Sequence, residues 1–344
     1  MAGPAWGHSL GMARGKVSDR ARLGRSELRV SPIAFGTWQL GGEWGEFDER
    51  RAIDAIRHAL KLGINFFDTA QAYGFGASER LLGRALEDEL RGARDEIVIA
   101  TKGGLRPVDG GVERDSSPEW LRQGVEESLE ALGTDFVDLY QVHWPDPDTP
   151  MAETGAALAE LRDEGKIRHV GVSNFSAEQM AQLSSTLPVE TLQPPYHLFQ
   201  REIEQDVLPW CGEHDVGVLI YAPLAHGLLT GAIDEDTELA RDDWRSISPM
   251  FAREALTQNL EVVRQLRGVA GEIGCTLSQL AIAWTLAHPA VDVAIVGSRN
   301  ARHIEEAAGA LDVELGDREL QWLEGIMQGA VQEAGPSPEM NRES

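Results

Sequence analysis

Hydrophobic and polar positions along this chain follow two alternating periods. Short, almost continuous apolar runs of strand length recur eight times: IAFGTW (33–38), INFFDTA (64–70), EIVIATK (96–102), FVDLYQVHW (136–144), IRHVGVSN (167–174), VETLQP (189–194), VGVLIYAPL (216–224) and VDVAIVG (291–297). Between them lie amphipathic stretches with helical spacing, at 49–62, 78–90, 118–132, 154–164, 177–184, 203–214 and 277–287, and one more at 301–310 follows the last strand. Gly63 and Gly133 stand just beyond periodic stretches, and Ser117 and Ser176 just ahead of them, where helix stops and N-caps belong. Strands that are apolar throughout are buried on both faces, and their alternation with helices implies a parallel sheet under helical cover. Eight such units predict an α/β fold closed into a (β/α)8 TIM barrel rather than a doubly wound sheet. RLGRSELRVS (22–31) reads as a small hairpin ahead of it, and 254–273 as an additional helix.

The barrel is expected to span 20–330 as one domain, with 1–19 and 331–344 as flexible tails. The long insert TGAIDEDTELARDDWRSISPMF (230–251) falls on the strand-end side, and a loop of that length in a compact domain is often functional.

Composition narrows the partners. Of the 344 residues, 56 are Asp or Glu against 31 Lys or Arg, a formal net charge of -25. Such a surface repels nucleic acid and anionic membranes, so an anionic ligand needs a local basic site. No run reaches the ~18 apolar residues of a membrane span, and the N-terminal stretch has no signal-type apolar region. Cys211 and Cys275, the only two cysteines, lack metal-type spacing and read as reduced thiols of a cytoplasmic protein. Among the nine histidines there is no HExxH, and no HxH at the first strand, so no metal is expected.

The chemistry concentrates at strand ends, which in such a barrel converge on one face. Asp68 and Tyr73 straddle the turn in DTAQAYG, Lys102 closes ATK, and His143 closes YQVH. A free phenol, with a pKa of ~10, is a poor proton donor to a carbonyl until a cation lowers it. Lys102 can supply that cation, Asp68 can hold the ammonium, and His143 can hydrogen-bond the substrate oxygen; together they suit carbonyl reduction. At the other end, GSRNARHIEE puts Ser298, Arg299, Arg302 and His303 at the start of the final helix of the barrel, where free N–H groups and basic side chains favour a phosphate. The planar fork of Arg299 suits one best. GFGASE (74–79) lacks the third glycine and the preceding strand of a dinucleotide fingerprint, so a Rossmann reading fails.

GTWQLGG, NFFDTAQAYGFGASERLLG, ATKGG, YQVHWPD, IRHVGVSNFS, YAPLAHGLLTG and VGSRNARHIEEAAGAL occur in the order seen in the aldo-keto reductase superfamily, which the chain resembles from about residue 23 to 327. The resemblance implies NADPH as hydride donor, Tyr73 as acid, Lys102 and Asp68 as its activators, and His143 as the group orienting the carbonyl. It further implies that Ser173, Asn174 and Gln193 hold the nicotinamide carboxamide and that Tyr221 stacks on the ring. Pro223, Leu224, Gly227 and Leu229 would close on the pyrophosphate; Gly36, Thr37, Trp38, Gly297, Ser298, Arg299, His303 and Glu306 would complete the cofactor contacts. Where the family often has Asn after that glutamate, this chain has Ala307. Trp38, Trp44 and Trp144, with Trp244 in the insert, are candidates for an aromatic pocket around a small carbonyl substrate. The potassium-channel beta subunits share the barrel and the four residues, so a nicotinamide-binding regulatory protein is the alternative.

Overall fold

Each of the eight apolar runs contributes one strand, and the eight strands pair in parallel around a closed barrel. A computed structural model describes residues 15–333, apart from 43, 44, 46, 110, 238, 240–242 and the side chains of 244 and 247. Trp44, the Trp244 side chain and the tail segments 1–14 and 334–344 therefore lie outside the described residues.

A two-stranded antiparallel pair, β1 (Ala21–Arg22) and β2 (Arg29–Val30), precedes the barrel. The barrel strands are β3 (Ile33–Gly36), β4 (Phe66–Asp68), β5 (Val98–Gly103), β8 (Val137–Val142), β9 (Ile167–Ser173), β10 (Thr191–Gln193), β11 (Gly217–Ile220) and β12 (Val293–Gly297). The intervening β6 (Leu105–Val108) and β7 (Gly111–Arg114) form a hairpin outside the barrel, which the apolar pattern did not predict because it is mostly polar and exposed.

The helices are α1 (Glu49–Lys61), α2 (Ala77–Ala85), α3 (Glu87–Gly92), α4 (Pro118–Leu132), α5 (Met151–Asp163), α6 (Ala177–Ser184), α7 (Val207–Glu213), α8 (Arg253–Ile273), α9 (Leu277–Ala287), α10 (Ala301–Ala308) and α11 (Asp317–Met327). Local chemistry explains their ends. The Ser117 hydroxyl accepts from Trp120 N–H, Pro118 occupies the first turn of α4, and Gly133, at φ 71°, stops it in the left-handed conformation. Ser176 and Gln179 form a capping box on α6. The expected helix over 78–90 is instead two, α2 and α3, broken at Leu86.

Two apolar cores result. The larger lies between the outward faces of the strands and the helices. The smaller fills the barrel: Ala34, Phe66, Val98, Ala100, Leu139, Leu219, Val293 and Ile295 point inward, and Leu23, Leu28 and Val30 of the N-terminal pair join them, plugging one end. Side chains alternate across a strand, so this inner set fixes which later residues point inward at the other end. Extending Phe66, Val98–Ala100 and Leu139 by two residues gives Asp68, Lys102 and Gln141. The inside of the barrel therefore ends in a polar layer.

Cys211 is buried and Cys275 half-buried, both free, and burial pushes the Cys211 thiol up to about 12. No single helix among the described residues is long and apolar enough to cross a membrane. The last described residues, 331–333, which composition assigned to the tail, are tied down: Asn259 exchanges side-chain hydrogen bonds with the Val331 backbone, and Glu333 N–H donates to Phe199 O.

Candidate active site

Beyond the polar layer opens a cavity of about 640 Å³. Lys102, 1% exposed, sits beneath it with its ammonium 2.6 Å from Asp68 Oδ1, 2.8 Å from Thr69 O and 3.2 Å from the Tyr73 hydroxyl. Tyr73 itself, Asp68 and His143 line the cavity, and the rings of Tyr73 and His143 meet edge to face at 5.7 Å. The four residues expected to act together are thus brought together. Burial, followed by repulsion from Lys102, holds the His143 imidazole well below its ordinary pKa, so it is neutral at physiological pH and offers one N–H and one lone pair.

Asp68 Oδ2 faces the other way and accepts from Gln193 Nε2 at 2.8 Å and from Gln141 Nε2 at 3.2 Å. Alongside, Ser173 Oγ donates to Gln193 O, and Asn174 Nδ2 donates to His143 O and Ser173 Oγ. Asn174 Oδ1 accepts from the Tyr221 hydroxyl. Asn174 adopts φ 62°, a left-handed conformation that asparagine tolerates better than most side chains. The segment after β11 is more strained still: Ala222, Ala225 and His226 all have positive φ, and all but Ala225 of these three line the cavity. Such strain, held by the surrounding structure, is found at ligand sites.

Of the remaining expected contacts, Gly36, Thr37, Trp38, Ser173, Asn174, Gln193, Tyr221, Pro223, Leu224, Gly227, Gly297, Arg299, His303 and Glu306 line the cavity. Three residues do not. Leu229 is fully buried in the outer apolar core. The Ser298 hydroxyl is used within its own turn, donating to Asn300 O and accepting from Asn300 N–H. Trp144 follows an inward-pointing residue and therefore turns away, buried under the Arg114 guanidinium 5.2 Å from its ring.

At the far end of the cavity α10 begins. Its N-cap is Asn300, whose side chain accepts from Arg302 N–H, and Arg299 and His303 face the same space. Arg299 Nε donates to Gln39 O and the guanidinium lies 5.4 Å from the Phe47 ring, two contacts that orient the fork. Partial burial lowers its pKa from the ordinary arginine value.

Sequence reasoning missed several cavity residues. Arg245, in the insert, donates to His226 O and to the Asp243 carboxylate, so the insert does reach the cavity. Neither residue carried a strand-end signal. Gln141, in the polar layer beneath the cavity and also missed, had one: it lies two positions before His143 and so on the same side of the strand.

His197, His226 and Glu333, of which His226 lines the cavity, bring their ligand-type atoms within 4.8 Å of one another. Phe199 N–H donates to Nδ1 of His197, whose imidazole burial keeps neutral, so its proton sits on Nε2. That places an N–H, not a metal-binding lone pair, opposite Glu333 Oε2.

Residues 32–328 match the aldo/keto reductase family. The chain is 39% identical over 312 residues to aldo-keto reductase YhdN of Bacillus subtilis, covering 90% of this chain and 94% of that protein. It is 33% identical to the NADH-specific methylglyoxal reductase of Escherichia coli, over 86% of this chain and 94% of the other. Among solved structures, the glycerol dehydrogenase AKR11B4 of Gluconobacter oxydans superposes with a TM-score of 0.84 at 37% identity, over 93% and 98% of the two chains. With the barrel, the strand-end cluster and these matches in agreement, the chain belongs to the aldo/keto reductase family.

Proposed function

We propose that this protein reduces an aldehyde or ketone to an alcohol at the Tyr73 end of the cavity, with NADPH as its reductant. The observation that supports this best is the buried ammonium of Lys102 placed 3.2 Å from the Tyr73 hydroxyl and paired with Asp68. Bound in the cavity, the reduced nicotinamide supplies a hydride to the carbonyl carbon.

The protein's own work is proton handling and orientation. His143, neutral, donates an N–H to the carbonyl oxygen and sets its position. Tyr73 transfers its hydroxyl proton to that oxygen as negative charge builds there, and Lys102 stabilises the phenolate left behind; Tyr73 then recovers a proton from solvent. General acid assistance of this kind accelerates a reaction roughly 10²- to 10⁴-fold. Asp68 keeps the ammonium charged and aimed.

The donor set fits a nicotinamide dinucleotide. Gln193 and Asn174 offer carboxamide partners, and the Tyr221 ring offers a stacking face. Arg299 offers a cationic partner, and His303 and the N–H groups at the start of α10 offer donors, for the 2′-phosphate of NADPH, in a protein whose surface is otherwise strongly acidic. Trp38 and His226, whose rings meet edge to face at 6.5 Å, form a wall suited to a small-molecule carbonyl substrate. Residues 20–330 act as one catalytic barrel, and two unpaired cysteines suit the reducing cytoplasm.

Tyr73→Phe tests the reading. Dinucleotide affinity should stay within about threefold while turnover of an aldehyde panel falls by roughly 10² or more. Near-normal turnover would remove Tyr73 from its role.

A further inference from the structure

Besides Lys102, one residue of the polar layer does not line the cavity. Gln141, on β8, is fully buried, opposite Lys102 on one neighbouring strand and Gly171 on the other. Gly171 leaves room for it: a Cβ there would stand 3.1 Å from Gln141 Cγ.

The hydrogen bonds around it have only one consistent polarity. Asp68, paired with Lys102, is a carboxylate, and a carboxylate only accepts. Both glutamines that face Asp68 Oδ2 must therefore present Nε2 to it, as they do. Gln193 has one more N–H, and it goes to Gln141 Oε1 at 3.1 Å. With both N–H groups of Gln193 committed, the only polar atom of that side chain left for a ligand in the cavity it lines is Oε1, an acceptor. Without Gln141, one Gln193 N–H would lose its partner, and the amide would swing about its single remaining bond to Asp68 Oδ2, moving Oε1 out of register with a ligand in the cavity.

We propose that Gln141 is a positioning residue for the nicotinamide: it locks the Gln193 amide with Oε1 toward the cavity, and that oxygen recognises the N–H of the nicotinamide carboxamide. This rests on the cofactor reading above. It assigns specificity for a primary amide on the ring to a side chain that never touches the ring.

The test compares three probes by titration calorimetry: NADP+, its 3-acetylpyridine analogue, which replaces the carboxamide NH2 by methyl, and 2′-phospho-ADP-ribose, which has no nicotinamide. Wild-type protein should bind NADP+ roughly three- to tenfold more tightly than the analogue, the equivalent of one hydrogen bond. Gln141→Met, similar in shape but apolar, should reduce that ratio to about twofold or less while affinity for 2′-phospho-ADP-ribose stays within about twofold, one lost hydrogen bond being confined to the nicotinamide end. Gln141→Glu should keep the wild-type ratio, because a glutamic acid protonated beside Asp68 donates to its oxygen and accepts from Gln193 in the same way. A full ratio in Gln141→Met, equal loss of affinity for all three probes, or a collapsed ratio in Gln141→Glu would overturn the assignment. If Gln141→Met does not fold, the Gln141→Glu result decides alone. Failure of wild-type protein to bind NADP+ at all would overturn the cofactor reading itself; binding with no discrimination against the analogue would overturn only the role given to Gln141 and Gln193.

Discussion

Replacing Lys102 by methionine keeps the shape of the side chain and deletes its charge, and the structure sets the size of the consequence. The ammonium and the Asp68 carboxylate are 2.6 Å apart with side chains 1% and 3% exposed. Water cannot take over from either. Breaking such a buried pair by removing one partner costs about 3–5 kcal/mol, because the remaining charge is left unsolvated. Here Thr69 O loses its Lys102 donor as well, while Asp68 Oδ2 keeps its two glutamine donors. Lys102→Met should therefore lower the unfolding free energy by about 3–5 kcal/mol in urea titrations. Adding Asp68→Asn removes the stranded charge, and the double variant should recover at least about 2 kcal/mol, the two sites coupling through direct contact. Activity should not follow stability. Both variants lack the cation beside Tyr73, so carbonyl reduction by each should stay down by roughly 10²-fold or more. A Lys102→Met protein as stable as wild type would refute the pair as a buried, mutually dependent unit. Turnover restored in the double variant would show that the ammonium does not activate Tyr73.

Three further outcomes are expected. Arg299→Ala should weaken NADPH binding by about 10- to 100-fold, the loss of one charge-assisted phosphate contact, and NADH binding by less than about threefold; equal losses in fluorescence titrations would count against the 2′-phosphate assignment. Burial holds His143 and His197 well below the ordinary histidine pKa and His226 at about 3, so between the unfolded value of ~6.5 and those folded values the unfolded chain binds more protons. Stability should accordingly be level above pH ~6.5 and fall below it by up to about 4 kcal/mol per pH unit for the three groups together. Glu79 and Glu333, raised by burial, offset part of this between their unfolded value of ~4.3 and their higher folded values, and a urea midpoint that stays flat from pH 7 to 5.5 would refute the sign. Gly103→Ala would drive a methyl group into the buried Tyr140 hydroxyl, beside Lys102, and should cost about 1–3 kcal/mol along with activity; a variant with wild-type melting temperature and turnover would show that the strand has slack there.

Much of this protein was legible in one dimension. Runs such as GVLI and VAIVG are apolar at consecutive positions because both faces of a barrel strand are covered, and that signal is local. The same locality exposed the ends of α4 and α6, where a serine and its N–H partners lie three residues apart. Which face of their strands Asp68, Lys102 and Gln141 share followed only once the inward-pointing set was known. What the chain could not state is how far the elements reach and what meets across them. Leu86 breaks a stretch that reads as one helix. Trp144 looks like pocket wall until its neighbour takes the inward direction. The insert was visibly long, but only folding brings Arg245 back to His226 O, 19 residues away in sequence. The polarity of the Gln141–Gln193–Asp68 network likewise joins residues up to 125 positions apart, so nothing in any one segment encodes it. Hydrophobic period is a property of neighbours along the chain, whereas hydrogen-bond direction is decided by whichever acceptor the closed barrel places opposite.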